Sequence, residues 1–200
     1  MFNSKFSHAC LPLLAAGLFG FSSGVSAAPI LGAQLYYGGG SVEVEVQPAT
    51  AGYTSELGLY NTSFTRLGSY IALNTQVGAV IDISSLISSS GLVAGDELIF
   101  GIYVQNTGDT FFMGSATRNT DGLLHAGVDV LSSSPIYTAN VGFEDLLNGG
   151  DRDYDDNVFQ FRGSISTNRV PEPGTLLLAS LGLLGLGLMR RNNKSADLLG

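Results

Sequence analysis

Val42, Val44 and Val46 alternate with Ser41, Glu43 and Glu45. A period of two marks a strand with one buried and one wet face. Residues 53–60 and 80–83 read as two further strands. Residues 84–90 are serine-rich and read as a turn or short helix that stops at Gly91. Residues 96–104 carry Leu98, Phe100, Ile102 and Val104 and form the strongest strand pattern. Asn106-Thr107-Gly108-Asp109 is a turn signal, across which residues 110–116 can pair back as a hairpin. Residues 122–131, 136–143 and 158–165 supply three more strands. Turn residues recur about every ten positions, which predicts an all-β chain, an antiparallel β-sandwich or jelly roll.

Two stretches break this pattern, one at each end. Lys5 precedes an apolar run over residues 11–21, and Val25-Ser26-Ala27 offers small residues for cleavage by signal peptidase. Residues 1–27 therefore read as a signal peptide. Cys10 is the only cysteine and lies inside it, so the exported chain is expected to have no disulfide and no cysteine-bound metal.

At the other end, Pro171-Glu172-Pro173 precedes an apolar run from Leu176 to Met189, closed by Arg190 and Arg191. The span from Thr175 to Met189 reaches about 22 Å as a helix, against roughly 30 Å of hydrocarbon. That suits a transient inner-membrane insertion better than a permanent anchor, with residues 192–200 as a cytoplasmic tail. The segment resembles the PEP-CTERM sorting signal of Gram-negative bacteria. The resemblance implies cutting near Pro173 by an exosortase, export to the cell surface or extracellular matrix, and an association with exopolysaccharide and biofilm.

A domain over residues 28–165 and a linker over 166–173 remain. Residues 28–170 hold fifteen Asp plus Glu against five Arg and no Lys, a net charge of −10. Such a surface repels nucleic acid and anionic lipid and suits multivalent cations.

The acids concentrate in one place. Glu144, Asp145, Asp151, Asp153, Asp155 and Asp156 fall within thirteen residues, with Arg152 as the single base. Folded together they repel, so either protons or a cation must neutralise some of them. Ca2+ accepts six to eight oxygens and is the natural partner. The alternation Asp151-x-Asp153-x-Asp155 can turn three carboxylates inward, and Gly149-Gly150 lets the backbone fold back beside Glu144 and Asp145. The sixth loop position is Asp156 and the twelfth Arg162, which excludes an EF-hand.

Glu144-Asp145, Gly149-Gly150-Asp151-Arg152-Asp153-Tyr154-Asp155-Asp156 and, upstream, Asp121-Gly122-Leu123-Leu124-His125 resemble the bacterial family known as domain of unknown function number 4114. The likeness covers about residues 90–163. It implies an exported β-domain, proposed to bind calcium, with no established activity. Asn157 stands where that family has an apolar residue, which is expected to loosen the strand start.

His125 is the one histidine of the exported chain and is expected on a strand, hydrogen-bonded near the acidic loop, with a metal-ligand or proton-transfer role as the sharper alternative. Tyr36, Tyr37, Phe111, Phe112 and Tyr137 are candidates for a sugar-stacking platform, against an ordinary core role. The expected function is a calcium-stabilised structural or interaction domain, the alternative a carbohydrate-binding module. A glycoside hydrolase is the weakest reading, because six acids on one loop are not two carboxylates across a cleft. No enzyme activity is expected.

Overall fold

The computed structural model describes residues 28–168. The signal peptide, the Pro171-Glu172-Pro173 motif, the apolar run and Arg190-Arg191 lie outside the described residues. In chain order the strands are β1 (Ile30–Leu31), β2 (Leu35–Val46), β3 (Ser55–Tyr60), β4 (Ala72–Leu73) and β5 (Val80–Asp82). A short helix α1 (Ser84–Ser89) follows, then β6 (Glu97–Val104), β7 (Thr110–Phe112) and a 3-10 turn at Ala116–Arg118. β8 (Ala126–Ser132), β9 (Tyr137–Phe143) and β10 (Asn157–Ser166) complete the domain.

Every strand pair is antiparallel, and the hydrogen-bonded order is β1-β8-β9-β10-β2-β6-β3-β4. β5 adds to β2 and β7 to β6. The path turns the corner where Leu35 and Tyr36 of β2 meet Leu98 and Glu97 of β6. The two halves then face each other over one core. Phe100 of β6 and Phe161 of β10 have ring centroids 4.3 Å apart. Val42, Val44 and Val46 are buried in that core, while Ser41 and Glu43 are exposed and Glu45 is half-buried. The period of two therefore reports a β-sandwich with a wet outer face.

Three sequence expectations change. The strand expected from residue 122 starts only at Ala126, because Asp121 draws the chain into a turn by accepting the Leu123 N–H at 3.0 Å. His125 therefore precedes β8 rather than lying on it. The strand expected over 110–116 ends at Phe112. Asn119 takes the place of a partner strand there, accepting the Phe112 N–H at 2.8 Å and donating to its carbonyl at 3.2 Å. β10 continues to Ser166, opposite Tyr36, one residue into the expected linker.

The five aromatics proposed as a platform share no exposed face. Phe111 and Phe112 are buried. Tyr36, Tyr37 and Tyr137 are half-buried, and their hydroxyls are tied to Gln34, Gly40 and Thr167.

Candidate metal centre

The acidic loop joins the end of β9 to the start of β10 and is laid on the sheet at a glycine pair. Gly127 of β8 and Gly142 of β9 are register partners. A Cβ on Gly142 would overlap the Tyr154 carbonyl oxygen, and one on Gly127 would touch Pro29 and Leu31 and approach the Tyr154 ring. Glycine in a strand interior marks such close approach. The loop backbone is left-handed at Asn148, Gly149, Gly150, Arg152 and Tyr154, with φ of 70°, 78°, 45°, 66° and 59°. Three of these are not glycine, a strained conformation that surrounding contacts must hold.

Those contacts come from the Asp121–His125 segment. Asp121 Oδ2 accepts the Asn148 N–H at 2.8 Å and lies 2.8 Å from His125 Nε2. His125 Nδ1 lies 3.2 Å from the Glu144 carbonyl oxygen, which can only accept, so Nδ1 carries a hydrogen. The Glu144 N–H donates back to the His125 carbonyl at 3.0 Å. The imidazole is fully buried and stacks on Phe111 at 4.0 Å. Both ring nitrogens are thus engaged by the fold. Burial raises Asp121, but hydrogen bonds from His125, Leu123 and Asn148 outweigh it and hold the carboxyl below its usual range.

Three of the six acids come together. Carboxylate oxygens of Glu144, Asp151 and Asp153 lie within 4.8 Å of one another, a group that can hold a metal ion. Asp151 and Asp153 are exposed, whereas Glu144 is completely buried. Glu144 Oε1 accepts the Tyr154 N–H at 2.7 Å. Its other oxygen, Oε2, is buried and accepts no hydrogen bond. Gly150 passes over that atom so closely that a Cβ would overlap it. Burial pushes Glu144 up, against the Tyr154 and Arg152 N–H groups, and the Asp156 and Asp151 charges add to the rise. Asp153 is also raised, by desolvation and by the charges of Asp155 and Asp151.

The other three acids are placed elsewhere. The Thr50 hydroxyl donates to Asp155 Oδ1. Asp156 Oδ2 accepts the Asp145 N–H at 3.3 Å. Asp145 Oδ2 accepts from Asn157 Nδ2, also at 3.3 Å. Asn157 in turn accepts from Asn74 Nδ2 at 2.7 Å, and Asn74 Oδ1 accepts the Ser55 N–H. Asn157 does not loosen the strand. It is fully buried, opens β10 opposite Phe143 and ties the loop to β3. The roles of Asn74, Gly142 and Asn157 are not readable as site residues from the sequence, although a glycine inside an apolar strand was a usable signal for the second.

Residues 65–164 match the family described as a domain of unknown function, DUF4114, and residues 169–191 match the PEP-CTERM protein-sorting motif. The chain belongs to the DUF4114 family. The match starts at residue 65, earlier than the likeness read from the acidic motif, and so takes in β4, β5 and α1. No curated protein and no solved structure matches the chain. The sorting motif marks this DUF4114 protein as an exosortase substrate exported to the cell envelope or surface of a Gram-negative bacterium.

Asp145 gives the DUF4114 domain a pH signature. Burial and the Asp156 charge push its carboxyl up to about 6. Between about pH 4 and 6 the folded chain holds a proton that the unfolded chain has released, so this group stabilises the fold increasingly as pH falls from 7 through 6. The gain from Asp121 runs the other way and is lost only below about pH 4. In chelator, Asp145→Asn is expected to raise stability at pH 7 by on the order of 2 kcal/mol and to flatten its rise between pH 7 and 5. Urea unfolding at several pH values checks this. An unchanged pH profile would remove Asp145 as its source.

Proposed function

We propose that the DUF4114 domain is a calcium-stabilised structural or interaction domain of the cell surface or extracellular matrix, associated with exopolysaccharide. The observation that carries the metal is Glu144 Oε2, a buried carboxylate oxygen with no hydrogen bond beside two exposed acids. An unpaired buried charge of this kind is costly, and a hard cation relieves it. Glu144, Asp151 and Asp153 would supply the oxygens. Asp151 and Asp153 face solvent, which leaves room for the water ligands Ca2+ takes. Mg2+ fits less well, since it demands near-ideal octahedral geometry.

Extracellular calcium modules bind with dissociation constants of about 10⁻⁴–10⁻³ M. Millimolar Ca2+ is then expected to stabilise the fold by roughly 0.4–1.4 kcal/mol. Asp153→Ala should abolish that gain, and Asp129→Ala, on β8 outside the loop, should keep it. Melting temperature in Ca2+ and in chelator is the readout. Equal Ca2+ responses in wild type and Asp153→Ala would place the ion elsewhere.

The same reading makes the domain non-enzymatic. Six of its fifteen acids crowd one loop rather than facing each other across a cleft, and its one histidine has both ring nitrogens engaged. Turnover of polysaccharide, peptide or phosphoester substrates above background would overturn this part.

A further inference from the structure

The acidic loop and the exit toward the sorting motif occupy opposite ends of the sandwich. β10 starts at Asn157 beside the acids and ends at Ser166. From Asn157 to Gly163, before the register shift ahead of Ile165, β10 rises about 20 Å at about 3.4 Å per residue. Residues 91–96, 131–137 and 163–168 lie at the exit end. β9 starts opposite Gly163, and β6 starts opposite Tyr36, itself the partner of Ser166.

Two of these segments differ in charge from the rest of an acidic domain. Residues 131–137 and 163–168 carry no charged side chain. Leu131 is 50% and Ile136 51% exposed, and Val93 in residues 91–96 is 59% exposed. A groove of about 580 Å³ beside Ile136 is lined by Ser41, Ser133, Tyr137, Ser164 and Ser166. The exit is fastened to the fold: Tyr137 Oη donates to Thr167 Oγ1 at 3.0 Å and accepts the Thr167 N–H at 3.2 Å.

The tether beyond this latch is short. Six residues, seven Cα steps, lie between Asn168 and Thr175, where the apolar span begins. Fully extended they span about 25 Å. A domain so tethered cannot lie far from the bilayer while the apolar run is inserted.

The geometry points to a membrane-docking face: before processing, the exit end rests on the lipid surface, with Leu131, Ile136 and Val93 in the headgroup layer. The acids then stand about two Debye lengths away from that surface, where anionic lipid acts on them only weakly. Docking with the acidic end down would bring like charges together. Exposed apolar tips beside uncharged serine hydroxyls suit the interface, which is apolar below and wet above. The inference rests on membrane insertion of the C-terminal run and not on the calcium reading.

The test uses the full chain carrying Cys10→Ser, reconstituted in phosphatidylethanolamine–phosphatidylglycerol vesicles with headgroup-nitroxide lipid. One fluorophore is placed at Ser133→Cys on the exit end, or at Thr107→Cys on the turn after β6. Quenching at 133 is expected to exceed that at 107 at least threefold, and Ile136→Asp is expected to cut it at least by half. Equal quenching at both positions, or quenching at 133 indifferent to Ile136→Asp, overturns the docking face. So does contrast that appears only when an exosortase is co-reconstituted, which would make the partner a protein. A chain that fails to float with vesicles overturns the insertion reading and the docking together, while leaving calcium binding to its own titration.

Discussion

Gly142→Ala is expected to destabilise the domain by about 3 kcal/mol, the upper end of the usual range for overpacking. The added methyl would overlap the Tyr154 carbonyl oxygen, which is backbone and cannot swing aside like a side chain. The loop must lift from β8 and β9. Lifting it moves Tyr154 N–H away from Glu144 and separates Asp153 from the other two acids. The variant should therefore also lose its calcium response. Gly52→Ala makes a fair control, because a Cβ there meets nothing. Urea unfolding with and without Ca2+ reads both effects. A Gly142→Ala variant within about 0.5 kcal/mol of wild type and still responsive to Ca2+ would mean that the loop is not seated on the glycine pair.

Asp121→Ala should cost about 3 kcal/mol, because each buried donor left without its acceptor costs roughly 1–3 kcal/mol. Its carboxylate serves His125, the Leu123 N–H and the Asn148 N–H, and its side chain is only 6% exposed. Alanine leaves a buried imidazole nitrogen and two N–H groups without their acceptor. Asp121→Asn keeps one acceptor oxygen and should cost distinctly less. Denaturant midpoints of the two variants separate these cases. Equal and small losses would show that Asp121 does not clamp the acidic loop.

Much of the architecture was legible because burial in a sandwich follows the period of two. The valines of β2 and the apolar run of β6 marked strands with one buried face, and the regular turn signals pointed to antiparallel strands but not to their order. β1 and β4 were not legible. At two residues each they are too short to show a period, and only tertiary pairing makes them strands. β7 and β8 were read too long, because Asn119 and Asp121 satisfy backbone groups with their side chains. Nothing in a hydrophobic pattern reports that.

The site was legible as a cluster and not as a division of labour. Charge density alone drew attention to all six acids. It did not separate Glu144, Asp151 and Asp153 from Asp155, which serves Thr50, or from Asp145 and Asp156, which share the buried Asn157 network. That division depends on left-handed backbone at Arg152 and Tyr154, two residue types that do not advertise it. The Asp121–His125 motif was visible as a resemblance, but its work is positional. It fixes where the loop starts by holding the Glu144 backbone from both sides.

Calorimetric titration of Ca2+ into the chelator-stripped chain, beside Glu144→Gln, tests the metal centre most directly. One ion per chain is expected, with a dissociation constant of about 10⁻⁴–10⁻³ M. Glu144→Gln should weaken it by at least the ~10–100-fold typical of losing an outer-shell partner. Its stability in chelator should not fall, since a raised buried carboxyl is removed. No binding heat up to about 10 mM Ca2+, or a Glu144→Gln chain that binds like wild type, would contradict a calcium centre built on the buried Glu144 oxygen.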